Sequence, residues 1–444
     1  MVLVISAGIY VHIPFCVKKC NYCDFLSAAC TEETRQEYVE ALCIEITQRA
    51  PKFRDKKVDT IFFGGGTPSI LSVKQFEKIM TTIRKEFHVL KEAEISLELN
   101  PGTANWDKLQ AYYKHGVNRL SIGLQSADNE ELKVLGRIHN WETFLQTWKL
   151  VRKTGFSNVN IDLMSALPGQ TLESYENTLR KVLELKPEHI SAYSLIIEEG
   201  TKFYQWYEQE EGLQTDGDND AKSITEEMSE VNLESQYAEF RKKKLPDEIT
   251  DRRMYELTKK MLEEQGYYRY EISNYALKGY ECRHNIGYWK RKEYLGLGLG
   301  ASSLIANIRS SNISDLEQYR MISQKANKIR TERGTEEQFY ELKDEKVIQQ
   351  CDMDWVENQE ILSVKEQMEE FMFLGLRMME GVCDSDFEAQ FVKSLQEVYG
   401  KQITKMINQG LLKFYEKENR YALTLKGIDV SNQVFVEFIL PTIL

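Results

Sequence analysis

From residue 9 to about residue 197, short β-rich runs alternate with longer stretches of helical period, and this alternation constrains the fold more tightly than any other feature of the chain. Six runs read as strands: Gly8–Phe15, Val58–Phe63, Glu94–Leu99, Arg119–Leu124, Asn158–Leu163 and His189–Ile197. Between them lie helical segments such as Ser72–Phe87. There Ser72 and Gln75 have capping-box spacing, and Phe76, Ile79, Met80, Ile83 and Phe87 share one face. Repeated strand–helix–strand units imply right-handed crossovers and a parallel sheet. Six units rather than eight predict an α/β fold built on an incomplete (β/α)6 barrel, with a doubly wound open sheet as the rival of identical periodicity.

A chain of 444 residues, 42% of them hydrophobic, exceeds what one core of roughly 250–300 residues can hold. The expected divisions are a partial barrel over residues 1–205, an acidic insertion over 206–245, a barrel extension over 246–359 and a C-terminal unit over 360–444. The insertion follows from Glu208–Glu230, with nine acidic residues and one basic, which reads as solvated or flexible. In the last unit, Ser363 and Glu366 can cap a helix bearing Phe371, Met372, Leu374 and Leu376. Ile403–Leu411 reads as helical and Leu412–Leu425 as a hairpin turning at Lys417–Asn419, together a small α+β, winged-helix-like domain. Net charge is −12, and residues 360–444 hold thirteen acidic and nine basic residues, so the electrostatic footprint of nucleic-acid binding is missing. The apolar run Val2–Val11 is about half the ~20 residues of a membrane span. The expected location is cytoplasmic, with any membrane association made only through a partner.

The strongest local signal is Cys16-Val-Lys-Lys-Cys20-Asn-Tyr-Cys23, immediately after the first strand. Gaps of three and two residues can bring three thiolates onto one cuboidal iron–sulfur cluster, leaving one iron open where electron-transfer clusters use a fourth cysteine. The competing metal is zinc, held by the three cysteines with Cys30 or His12, although the gaps do not match paired knuckles. Cys43 reads as a core residue of an amphipathic helix, and Cys351 and Cys383 have no partner spacing.

With an aromatic residue before its last cysteine, the motif resembles that of the radical S-adenosylmethionine (SAM) superfamily. Gly64-Gly65-Gly66-Thr67-Pro68, at the end of the second strand, matches the superfamily's glycine run, where backbone lacking Cβ approaches a ligand closely. The resemblance implies a [4Fe-4S] cluster on Cys16, Cys20 and Cys23, with SAM chelating the open iron. It also implies a SAM pocket built from Tyr10, Tyr22, Gly65, Gly66, Thr67, Glu98, Gln125, Arg137 and Asp162, and Glu98, Asn100, Gln125 and Asp162 do sit at or near strand carboxyl ends, where β/α folds collect function.

The order YVHIPFC, GGGTP, LELNP, GLQS and DLM-ALPGQ resembles the family of oxygen-independent coproporphyrinogen III oxidase and its HemW-like relatives. The oxidases carry a further cysteine two residues after the third and a longer segment before the cluster. Here Phe25 occupies that position and 15 residues precede Cys16. His284-Asn285-Ile286-Gly287-Tyr288-Trp289 resembles the HNxxYW motif of HemW-like haem chaperones. His284 is then the candidate haem ligand, with Cys282 as an alternative soft ligand. The likeness implies haem transfer to an acceptor protein, a reductant such as flavodoxin or ferredoxin, and no coproporphyrinogen oxidase activity. Oxidative decarboxylation of coproporphyrinogen III is the second reading, and a zinc-stabilised interaction module the third. Gly296, Gly298 and Gly300 lack dinucleotide-fingerprint spacing and are expected to allow tight packing of an edge strand.

Overall fold

The computed structural model describes residues 6–207, 240, 243–332 and 354–439. The acidic run Glu208–Glu230 and Cys351 lie outside the described residues.

The six expected strands form as β1 (Ser6–Ile13), β2 (Lys57–Gly65), β3 (His88–Leu99), β4 (Arg119–Gln125), β5 (Val159–Ser165) and β6 (His189–Ser194). All five neighbouring pairs are parallel and the spatial order follows the chain. With no point where strand order reverses, the arrangement is a partial barrel and not a doubly wound sheet. Alternation along each strand separates two environments. Ile9, Val11, Ile61, Phe63, Leu97, Ile122 and Ile161 pack outward against helices, all buried. The opposite register places Tyr10, His12, Glu94, Ser96, Glu98, Ser121, Asn160 and Asp162 in the bore, where polar chemistry collects.

The covering helices end where local chemistry ends them. Val73–Glu86 begins at the capping box of Ser72 and Gln75 and buries Phe76, Ile79, Met80 and Ile83, while Phe87 is already extended. Trp141–Thr154 is capped by Asn140 and stops at Gly155 in the left-handed region.

The barrel does not close, and each edge takes further strands. β6 pairs antiparallel with β8 (Asn274–Ala276), which pairs with β7 (Tyr268–Arg269). β1 pairs in parallel with β9 (Tyr294–Leu297), followed by antiparallel β10 (Ser302–Ile305), β11 (Ile308–Asn312) and β12 (Val356–Ile361). The glycine-spaced segment is therefore not the expected edge strand. β9 lies between β1 and β10, and a Cβ at Gly296 would stand 2.1 Å from the Ser302 carbonyl oxygen. Behind it, buried Glu45 on the helix Glu32–Arg49 accepts hydrogen bonds from the Gly298 amide (2.8 Å), Asn312 (2.7 Å) and the Tyr319 hydroxyl (2.5 Å) and pairs with buried Arg49 (3.2 Å).

The expected barrel extension also contains a helix over Leu316–Glu332, and Trp355, just before β12, is fully buried and bonded to Gln48. Toward the C-terminus, Ser363 and Glu366 form the expected capping box of Val364–Gly375. After a short helix over Asp384–Phe391, a second box at Ser394 and Glu397 starts the helix Leu395–Asn408, earlier than the expected start at Ile403. β13 (Val382–Cys383), β14 (Leu412–Tyr415) and β15 (Arg420–Leu423) form a separate three-stranded sheet, and Met372, Phe387, Tyr399 and Ile403 belong to its own core. Among the described residues no helix is long and apolar enough to cross a membrane.

Candidate functional site

The cysteine loop leaves the end of β1 and is pinned from both sides. The Cys16 amide donates to Ala28, and buried Asn21 donates from its backbone to Leu135 and from its side chain to Val134. The glycine run at the end of β2 is strapped to the same loop. The Gly66 amide donates to the Ile13 carbonyl, the Thr67 amide to the Phe15 carbonyl, and Thr67 Oγ1 shares a 3.3 Å contact with Cys16 Sγ. Neither glycine tolerates a side chain. A Cβ on Gly66 would lie 2.7 Å from the Phe15 oxygen, and Gly65, at φ +108°, would press one into the His12 ring at 2.4 Å.

These elements open on a cavity of about 370 Å³ at the carboxyl ends of the strands. It gathers Cys16, Cys20 and Cys23 with Tyr22, Gly65, Gly66, Thr67, Glu98, Gln125, Arg137 and Asp162. Asn100, Ser121, Gly123, Met164 and Tyr193 complete the strand rim. Ser121 and Tyr193 escaped the sequence reading, although period-two counting back along β4 and β6 points both inward. Gln125 follows a register shift in β4 and holds φ +73°, a strained backbone for a non-glycine residue.

The charges are arranged around burial. Glu98 accepts from the Gly65 amide at 3.2 Å, yet burial, with Asp162 nearby, pushes its carboxyl up to about 8. Burial also raises Asp162, opposed by hydrogen bonds from Asn160 (2.7 Å) and Ser121 (3.1 Å). Arg137 donates to Asn100, to the Gly123 carbonyl and, at 3.6 Å, to Cys20 Sγ, so its guanidinium faces the cysteine loop. Burial pushes the Cys23 thiol up to about 11; thiolate there calls for a compensating cation.

The zinc alternative fits poorly. Its two candidate fourth ligands, His12 and Cys30, are both placed elsewhere. His12 is a satisfied core histidine: Nε2 donates to the Leu26 carbonyl at 2.9 Å and Nδ1 accepts from the Tyr10 hydroxyl at 3.0 Å. Cys30 does not line the cavity.

Tyr10 lines a second cavity instead, of about 500 Å³, walled by Tyr288, Trp289, Tyr294, Leu304, Arg309 and Leu374. The two cavities share Phe25, Gly65 and Glu98. His284 does not reach the surface of either. It is 3% exposed, with Nδ1 bonded to Thr60 Oγ1 at 2.9 Å and Nε2 to the Tyr288 hydroxyl at 2.8 Å, and its ring stacks on Phe62. Burial holds the imidazole neutral, its pKa lowered to about 3. The helix Arg283–Trp289 that carries it is capped by a residue distant in sequence, Glu94, which accepts from the Arg283 and His284 amides at 3.0 Å each. Cys282, fully buried, has its thiol pushed up to about 12 by burial.

Residues 10–182 match the radical SAM superfamily and residues 362–430 the HemN C-terminal domain. The chain is 36% identical over 434 residues to a curated protein of Lactococcus lactis subsp. lactis (strain IL1403) named "Heme chaperone HemW", covering 98% of this chain and 97% of that one. The chain belongs to the HemW family. A second HemW, from Bacillus subtilis (strain 168), is 32% identical over 97% of this chain and 98% of its own length. Among solved structures, coproporphyrinogen III oxidase (HemN) from Escherichia coli superposes with a TM-score of 0.73 at 23% identity, covering 99% of this chain and 91% of that one. That likeness establishes the radical SAM fold of this HemW-family chain and leaves its chemistry to the residues of the two cavities.

Proposed function

We propose that this chain is a haem chaperone that holds a [4Fe-4S] cluster and SAM in the cysteine-lined cavity and carries haem in the aromatic one, for delivery to an acceptor protein. The observation that supports this most is the junction of the two cavities at Phe25, Gly65 and Glu98. A cysteine-lined chamber and an aromatic chamber then abut on one shared wall. Cys16, Cys20 and Cys23 would hold three irons, and a reduced cluster would supply the electron for cleaving a sulfonium bond. Gly65, Gly66 and Thr67 let backbone approach the cofactor, Arg137 offers a guanidinium to its carboxylate, and Glu98, Gln125 and Asp162 offer hydrogen bonds.

Haem would lie against Tyr288, Trp289 and Tyr294, with neutral His284 as the axial ligand once Tyr288 releases Nε2. A small carrier such as flavodoxin or ferredoxin would deliver the electron. The deciding experiment reconstitutes the full chain anaerobically, loads it with haem and mixes it with an apo haem protein. Haem should appear on the acceptor, and coproporphyrinogen III incubated with the reduced protein and SAM should remain intact. Conversion to protoporphyrinogen would establish the oxidase reading in its place.

A further inference from the structure

The second cavity has a direction. Strand register places Thr60, Gly8, Tyr294, Leu304 and Arg309 in one row across β2, β1, β9, β10 and β11. The row begins at His284, whose ring lies over Gly8, where a Cβ would stand 3.3 Å from Cε1. Tyr288 then meets Tyr294 edge-on, with ring centroids 4.6 Å apart. The row ends at the Arg309 guanidinium, half-buried on the cavity wall. Three strand spacings separate Gly8 from Arg309, about 14 Å, the span of a porphyrin ring with its carboxylate arms.

The cationic end carries more positive charge than its partner neutralises. Glu370, buried on the helix Val364–Gly375, receives Arg309 on one oxygen at 2.5 Å and Arg291 on the other at 2.8 Å, so two guanidiniums share one carboxylate. Glu360 stands opposite Arg309 in β12 and is exposed, with no ion pair to it among the described residues. Along the same wall, Trp289 Nε1 is buried without a partner among the described residues.

We propose that Arg309 is the carboxylate anchor of the cargo site: it takes a carboxylate arm of a planar macrocyclic ligand whose centre faces the His284 end, exchanging part of its bond to Glu370 for the ligand. This rests on the reading of haem as cargo and adds the residue that sets ligand orientation and selects acids over esters. The exchange leaves Glu370 to Arg291 alone, so cargo binding is felt at a helix of the C-terminal unit.

The test titrates the full-length protein with haem and with the haem dimethyl ester, which keeps iron and ring and lacks free carboxylates. Wild type is expected to bind the free acid about tenfold more tightly, the scale of one charge-assisted bidentate bond. Arg309→Gln should remove that preference while keeping ester affinity, which also reports that the cavity is intact. Glu370→Gln, which frees Arg309, should enlarge the preference. Equal affinity of wild type for acid and ester, or an undiminished preference in Arg309→Gln, overturns the anchor and leaves haem binding standing. Wild type that binds neither porphyrin overturns the cargo reading together with the anchor.

Discussion

His284 Nε2 and the Tyr288 hydroxyl share a hydrogen bond of 2.8 Å across one turn of the helix that carries them both. The tyrosine therefore occupies the nitrogen that an iron would use, and it lines the aromatic cavity beside the imidazole. Tyr288→Phe removes the hydrogen bond and retains the ring. Haem affinity is expected to rise about fivefold, the worth of about 1 kcal/mol, with a larger histidine-ligated signature in resonance Raman or EPR spectra. Identical spectra and affinities in mutant and wild type would remove this latch from the mechanism.

The cysteines separate by position. Cys16→Ala, Cys20→Ala and Cys23→Ala are each expected to lose nearly all iron and sulfide after anaerobic reconstitution. Cys30→Ala and Cys282→Ala keep the wild-type content, because neither thiol lines the cavity. Iron and sulfide per chain are the measurement, and full retention in any of the first three variants refutes its assignment as a ligand.

Glu98 links stability to pH. Its folded pKa of about 8 lies above the ordinary carboxylate value, so the native chain keeps a proton that the unfolded chain gives up. This contribution is fully present at low pH and is lost as pH rises through the folded value. In the cofactor-free protein, Glu98→Gln should flatten the fall in urea midpoint between about pH 5 and about pH 8.5. Parallel midpoint-versus-pH curves for the two proteins would contradict the assignment.

Glu45 should matter although it lines neither cavity. Glu45→Ala leaves Arg49 buried beside three unpaired donors and is expected to cost about 3–5 kcal/mol, read as a lower denaturant midpoint at unchanged slope. Glu45→Gln, which still accepts hydrogen bonds, should cost less. A surface-like loss below about 0.5 kcal/mol would show that the network carries no load.

The barrel was legible because hydrophobic period and turn chemistry are local: all six strands formed, although β3 starts at His88, six residues before its expected start, and β6 ends at Ser194, three residues before its expected end. The rim residues were legible for the same reason: Glu98, Gln125 and Asp162 reach one cavity because each sits near a strand's carboxyl end. What escaped depends on partners distant in sequence. β9 is four residues with a glycine, and its pairings with β1 and β10 make it a strand. Arg309 reaches the second cavity because Ala306 and Asn307, both at positive φ, turn a tight hairpin that lacks the usual glycine signal. The burial of His284 follows from Thr60, Phe62 and Glu94, on strands about 190 residues or more earlier in the chain.

Only a thin partition, one glycine and one acid with an aromatic ring at its lip, divides the two chambers. Any guest that alters the ionisation of Glu98 from one side changes the electrostatic welcome on the other, and reciprocity makes the factor equal in both directions. With guests in both chambers, each dissociation constant would then be a pair of numbers, meaningful only at a stated occupancy of the neighbouring room.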